Sequence, residues 1–291
     1  MGIPGWRFLA ALRAGKTTVV VRGPIAAKIL RGGQARRKYF SEHAARLILA
    51  QVGIATVPIL ARFMPFKLLI MPNAGPTLNT HLTLDNLAAF DQHITQFARI
   101  TVPRTTPPGY YWLDRSRRMH PYDSFVEFLM GEFGRRALDF IARFPSFDLE
   151  GLRGIFQAAE AHPARLLVPT DIAPKNVTYA NGRFAHLDLE ATLIGPPEFL
   201  LVKAAVNLAS DVGTWEATRP IRAGWLERCP SRDNARAVLA FALVNRMLYD
   251  APASRSNTKA LTALRLLLDG GALASVVNQI EAGWDLQATS T

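Results

Sequence analysis

Apolar residues along the chain follow two different patterns, and the change between them falls near residue 72. Before it they come in short β-branched or wholly apolar runs; beyond it they recur mostly at three- and four-residue spacing. Thr17–Arg22 (TTVVVR) and Ile25–Leu30 (IAAKIL) flank Gly23-Pro24, which predicts two strands joined by a turn. From Arg36 to Val52 the residues Phe40, Ala44, Leu47, Ile48 and Gln51 fall at helical spacing, and Gly53 closes the segment. Val57–Phe63 and Lys67–Met71 predict two further strands. The run Pro72-Asn73-Ala74-Gly75-Pro76 is rigid and turn-rich, so the expected division is into residues 1–72 and residues 73–291.

The second part is expected to be mainly helical. Leu84–Thr101, Tyr122–Phe144, Leu149–His162, Asn234–Tyr249 and Ala260–Ile280 all carry apolar residues at helical spacing. Between them lie three short strand-like pieces, Leu166–Val168, Val177–Tyr179 and Phe184–Leu189. Asn181-Gly182 marks a hairpin turn between the last two. The predicted class is α+β: a small β-rich N-terminal lobe with one helix, then a larger helical lobe with a hairpin set in its middle.

Composition narrows the class without naming a function. The 291 residues are 49% apolar and 20% charged, as in an ordinary globular protein. No apolar run reaches the length of roughly 18 residues that a membrane-spanning helix needs. Met1–Lys16 holds no long apolar stretch ahead of a small-residue cleavage site, and the single cysteine, Cys229, excludes an internal disulfide framework. A cytoplasmic location is expected on both grounds. The net charge is +11, and all of it arises before residue 85, where twelve Lys and Arg face one acid, Glu42. Beyond that point 22 basic and 22 acidic residues cancel. Such a basic lobe attracts anions, and contact with an anionic surface is one expectation. An arginine-rich composition, with 27 of 34 basic residues being Arg, accounts for it equally. Nucleic acid is not an expected partner, because no recognition motif accompanies the charge.

The chemistry concentrates in residues 169–190, PTDIAPKNVTYANGRFAHLDLE. Asp171 and Asn176 lie five apart across a loop containing Pro174, and Asp188 follows at the end of the strand after the Asn-Gly turn. Folding the hairpin back brings the three side chains to one end of a small sheet. Two carboxylates and an amide suit Mg²⁺, which takes one or two carboxylates together with substrate phosphates. The other aspartate can then accept a proton from an attacking hydroxyl. Glu190, two residues beyond Asp188, shares its face if the strand continues, as a further metal ligand or as a solvated side chain.

This block resembles the catalytic and metal-binding loops of the protein-kinase-like superfamily, in its aminoglycoside phosphotransferase and choline kinase branch. The resemblance implies a two-lobed fold and an ATP- and Mg²⁺-dependent phosphotransferase acting on a hydroxyl of a small molecule or glycan. It makes Asp171 the catalytic base and Asn176 and Asp188 the metal ligands. It also asks for a strand lysine that grips the nucleotide phosphates and a helix glutamate that pairs with it. Lys28 and Glu42 stand at those positions, although an edge-strand lysine and a solvated helix glutamate would look the same. Met71 and Asn73 would border the adenine, and Gly15 and Lys16, in Ala14-Gly15-Lys16-Thr17-Thr18, come nearest to a glycine-rich loop. The pattern departs at Pro169 and Thr170, where the family has His-Gly, and at Pro196, where it often has Asp. A kinase of lipopolysaccharide-core sugars and a pseudokinase that only binds remain alternatives. His43, His81, His93, His120, His162 and His186 show no paired metal-ligand spacing, which argues against a zinc enzyme.

Overall fold

The structure is a computed structural model that describes residues 17–31, 35–113, 121–160, 165–212, 216–249 and 255–281. Strands β1 (Thr18–Arg22) and β2 (Ile25–Ile29) form an antiparallel hairpin turning at Gly23, whose φ of 57° favours glycine. Helix α1 (Ala35–Gln51) follows, then β3 (Ala61–Phe63) and β4 (Leu68–Pro72). The sheet order is β1-β2-β4-β3, so β2 crosses to pair with β4 and places Lys28 opposite Leu69 and Ala26 opposite Met71. These four residues are buried, as the two-residue period of a strand requires for one covered face.

Helix α1 buries a different face from the one its apolar residues suggest. Ala35, Tyr39, Glu42, Arg46 and Leu49 form the inward stripe, whereas Leu47 is 55% exposed. Two charged residues sit inside because they pair with one another. A reading that treats every charge as outward therefore rotates the helix.

Beyond β4 come α2 (Leu84–Phe97), β5 (Tyr111–Trp112), α3 (Phe125–Arg143) and α4 (Leu149–Gln157). Reciprocal side-chain and backbone bonds cap α2 (Thr83 with Asn86) and α3 (Ser124 with Glu127). Then follow β6 (Leu166–Pro169), β7 (Val177–Ala180), β8 (Arg183–His186) and β9 (Thr192–Gly195). Strand β9 lies between β5 and β6, and β7 pairs with β8 through Asn181-Gly182, both at positive φ. Five helices close the described chain: α5 (Pro197–Asp211), α6 (Thr218–Glu227), α7 (Arg232–Tyr249), α8 (Arg255–Leu268) and α9 (Leu273–Gln279). None of the described helices is long and apolar enough to cross a membrane.

One core runs from the end of α1 through this helical part to α9, with Phe90, Phe128, Phe140, Phe199 and Trp225 fully buried. Several boundaries differ from those expected. The segment expected to be one helix over 260–280 is two, α8 and α9, because Gly270 turns the chain at a φ of 85°. The strand expected over 184–189 stops at His186, so Asp188 stands on the loop before β9 and Glu190 is not on its strand face. The strand expected over 57–63 covers only its last three residues. Helix α5 escapes a periodicity reading because nearly every side chain from Pro197 to Ala209 is buried, which leaves no polar face.

Candidate functional site

Lys28 is the point where the two parts of the molecule meet chemically. Its ammonium donates to Glu42 Oε2 at 3.0 Å and to Asp188 Oδ1 at 2.8 Å, with Glu190 Oε2 at 3.5 Å. Strand β2 turns it to the covered face, α1 supplies Glu42 from above, and the loop after β8 brings Asp188 from below. Burial alone would push the Lys28 pKa down, but the carboxylates of Glu42, Asp188 and Glu190 outweigh it and hold it above its ordinary value. Burial likewise raises Asp188, and the charge and hydrogen bond of Lys28 more than reverse this, so Asp188 is held below the usual carboxylate range.

Glu42 is fully buried and shared. It also accepts from the Leu189 backbone N–H at 3.1 Å and from the Arg46 guanidinium. Arg46 in turn donates to the carbonyls of Leu187, at 2.8 Å, and Val57. The loop that carries Asp188 is thus stitched to α1 by two side chains one helical turn apart. Glu190 faces the N-terminal lobe, where Lys38 reaches it at 2.7 Å and the Thr17 hydroxyl at 3.1 Å.

The loop after β6 holds Asp171, 46% of whose side chain is exposed. Pro174–Asn176 forms a short 3-10 turn, and Asn176 Nδ2 donates to the Asp171 carbonyl at 2.9 Å. The Leu187 N–H donates to the Asn176 carbonyl at 2.9 Å, which sets this loop beside the one carrying Asp188. From α5, Asn207 Nδ2 donates to the carbonyls of Thr170 and Ile172 at 3.1 and 3.3 Å, gripping the chain on both sides of Asp171. Lys175 bridges Asp211 at 3.0 Å and Asp171 at 3.7 Å. Burial lowers the Lys175 pKa, but these two carboxylates hold it above ordinary, while burial pushes Asp211 up against the pull of Lys175.

Hard oxygen donors remain over at the junction. Asp188 engages Lys28 and the Glu190 N–H through one oxygen only, and Asn176 uses only its amide nitrogen. Among the described residues the second Asp188 oxygen and the Asn176 side-chain oxygen take no partner. No group of three or more His, Cys, Asp or Glu suited to a metal occurs among the described residues. This donor set therefore fits an ion that shares its coordination with a ligand and not one caged by protein.

The structure brings Lys28, Glu42, Asp188 and Glu190 into one cluster and sets Asp171 and Asn176 beside it. Met71 is buried with its sulfur 3.6 Å from Arg46. Asn73 braces the first hairpin: its N–H donates to the Pro24 carbonyl at 2.8 Å and its side-chain amide to the Gly23 carbonyl at 3.1 Å. Gly15 and Lys16 lie outside the described residues. His186 is structural, buried with its Nε2 at 3.0 Å from that of His93. Three contributors were missed from sequence: Lys38, Arg46 and Asn207. Arg46 is signalled only by its i,i+4 spacing from the lone acid Glu42, and Asn207 by standing alone as an amide in the apolar run AAVNLA.

No protein family matches the chain by sequence, and no curated protein does. Solved structures do match in shape. A thermostable mutant of aminoglycoside phosphotransferase APH(4)-Ia, in ternary complex with AMP-PNP and hygromycin B, is 14% identical with a TM-score of 0.57, covering 97% of this chain and 100% of that one. ADP-bound aminoglycoside phosphotransferase APH(2'')-Ib is 12% identical with a TM-score of 0.55 over 94% and 99% of the two chains. A choline/ethanolamine kinase family protein from Mesorhizobium loti is 10% identical with a TM-score of 0.56 over 91% and 90%. At such identities the likeness is one of fold, and the fold of this chain is the two-part, protein-kinase-like one of the aminoglycoside phosphotransferases and choline/ethanolamine kinases.

Proposed function

We propose that the protein is a phosphotransferase that moves the γ-phosphoryl group of ATP to a hydroxyl of a small molecule or sugar. The observation that carries this reading is the Lys28–Glu42–Asp188 contact, which joins residues 14 and 160 positions apart into one charge cluster between the lobes. In this reading Glu42 holds Lys28 in place, and Lys28 orients the nucleotide phosphates. Phosphate oxygens would take over the ammonium charge that Asp188 now satisfies. The adenine would lie along Met71 and the Asn73 carbonyl, since the Asn73 N–H is already committed to Pro24. Gly15 and Lys16, which precede β1 in the sequence, are the remaining candidates for phosphate contact.

Asp171 would align the acceptor hydroxyl and take its proton as the oxygen bonds to the γ-phosphorus. The bond from that phosphorus to the β-phosphate oxygen breaks, and ADP leaves with the electron pair. Mg²⁺ fits the unclaimed oxygens of Asn176 and Asp188, with the Glu190 carboxylate beside them. What it supplies when bound is neutralisation of the phosphate charge. The remaining work is positioning: Asn207 fixes the Asp171 loop, and the Glu42–Arg46 pair fixes the Asp188 loop.

Calorimetric titration of Mg-ATP into the native chain and an Asp188→Ala variant tests the reading. Metal-dependent binding that weakens at least about tenfold in the variant is expected. Absence of nucleotide binding by the folded native chain would overturn the reading and leave a protein with this fold and no transfer activity.

A further inference from the structure

Beside Asp171 opens a cleft of about 520 Å³, of a size that suits a small-molecule ligand. Its charge is unusual for the part of the chain that builds it. Arg37, Lys38, Arg136, Lys175, Lys203 and Arg246 line it against three carboxylates, Asp171, Glu190 and Asp211. Four of the six cations come from beyond residue 84, where basic and acidic residues cancel overall. The excess is therefore local and not a consequence of composition.

Two of the three carboxylates are closely paired, and the third, Asp171, makes one long contact. Glu190 pairs with Lys38 at 2.7 Å, and Lys175 spans Asp211 at 3.0 Å and Asp171 at 3.7 Å. Lys203 forms no ion pair among the described residues, and the Arg136 guanidinium donates to a neutral group, the side-chain oxygen of Asn245. Lys203 stands one helical turn before Asn207, the residue that holds the chain on both sides of Asp171. Burial pushes the Lys203 pKa down, and the charges of Asp171 and Asp211, opposed by those of Arg246 and Lys175, offset this only in part. Trp112 and Ser41, also in the cleft wall, keep an indole N–H and a hydroxyl without a partner among the described residues.

We infer that the cleft takes an acceptor bearing an anionic group, a phosphate or a carboxylate, which Lys203 and Arg136 recognise while the hydroxyl to be phosphorylated faces Asp171. The inference rests on the phosphotransferase reading for the hydroxyl and on the cleft charges for the anion. A polycationic acceptor would meet the Lys203 ammonium and the Arg136 guanidinium, and would find Glu190 and Asp211 already paired and only Asp171 open. An anion gains both charges in a partly shielded cleft, where electrostatic complementarity discriminates most between ligands. Trp112 and Phe241 give the body of the acceptor an aromatic wall.

The test uses glucose 6-phosphate, glucuronate, glucose and glucosamine as probes, titrated into the full chain with and without saturating AMP-PNP and Mg²⁺. At least one anionic sugar should bind roughly tenfold or more tighter than glucosamine, and Lys203→Met should weaken it by about tenfold. Arg136→Gln, on a separate helix, gives the same reading if Lys203→Met fails to fold. Glucosamine binding as tightly as the anionic sugars, or no binding by any anionic sugar, overturns the inference. Nucleotide binding combined with that result leaves the phosphotransferase reading standing. Binding of an anionic sugar that Lys203→Met weakens, with no AMP-PNP binding, supports the anion site and removes the phosphotransferase reading instead.

Discussion

The two lobes are held together by different physics. The helical part encloses a continuous core rich in stacked and edge-on aromatic rings, from Phe90 against Trp225 to Phe133 against Phe156. Among the described residues, the N-terminal lobe has a separate apolar cluster that is small, with Leu30, Ala35, Tyr39 and Leu69 buried in it. At its centre lie Lys28, Glu42 and Arg46, all buried and all charged. In the larger lobe the candidate chemistry rests on top of a finished core, and Asp171 is half-exposed. In the smaller lobe the chemistry is the core. A substitution at the site should therefore separate activity from stability in one lobe and confound them in the other.

The largest effect is expected at Glu42. Changing it to Gln leaves Lys28 and Arg46 buried beside a neutral amide, and breaking a buried ion pair in this way costs about 3–5 kcal/mol. Urea unfolding should show the loss, and hydrogen exchange should place it in β2 and α1 while α5 and α7 stay protected. Nucleotide affinity should fall with it. A triple variant, Lys28→Met with Glu42→Leu and Arg46→Met, sharpens the contrast. It should regain part of the stability, since replacing paired buried charges together is often neutral while Asp188 still loses Lys28, and it should bind no nucleotide.

Asp171→Asn should behave in the opposite way. The exposed carboxylate makes one long contact, with Lys175 at 3.7 Å, so the melting temperature should stay within a degree or two. Phosphoryl transfer to any accepted hydroxyl should drop by roughly 10²–10⁴-fold, the usual worth of a positioned general base. An Asp171 variant that unfolds, or a Glu42 variant that melts like the native chain, would erase the distinction between the lobes.

The contrast also explains what could be seen in the sequence. The convergence of Asp171, Asn176 and Asp188 was legible in their spacing around a hairpin, and the pairing of Lys28 with Glu42 in the family resemblance together with one acid among twelve bases. The strands of the first sheet were legible because short apolar runs between turn residues have few other readings. The inward face of α1 was not, since Glu42 and Arg46 displace Leu47 from it. Nor were α5 and β9, whose residues are buried on all sides and leave no period to read. Lys38 and Asn207 act through neighbours supplied from distant segments, as Lys203 would in the inferred anion site, and local sequence does not encode that.

Acid should distinguish the lobes more gently. His93 on α2 and His186 at the end of β8 face one another through their Nε2 atoms, and burial pushes their pKa values down to about 4 and about 3. Because the unfolded chain binds these protons near pH 6.5, stability from this pair is complete above about that value and is lost as pH falls toward 4. Between pH 7 and pH 5 the melting temperature should fall by about 5 °C, with early loss of protection in β7 and β8. Replacing both histidines by Gln should flatten the dependence. A steep fall that persists in the double variant would assign the acid sensitivity elsewhere.

The smallest effect is expected where the sequence pattern looks most like that of Glu42. Glu150 and Arg153 lie on one face of α4, three residues apart, with their charges 2.5 Å from each other; Glu42 and Arg46 lie four apart on α1. Sequence spacing gives the two pairs nearly the same standing. Burial does not: the Glu150 side chain is 81% exposed and that of Glu42 is 0% exposed. Water already solvates Glu150, and salt screens what attraction remains, so Arg153→Ala should change stability by less than about 0.5 kcal/mol. Parallel urea titrations of Arg153→Ala and Glu42→Gln make the comparison direct. A loss of comparable size in both would mean that helix pairing, and not the desolvated position between two lobes, sets the strength of the Glu42 contact, and the charged core of the smaller lobe would lose its special role.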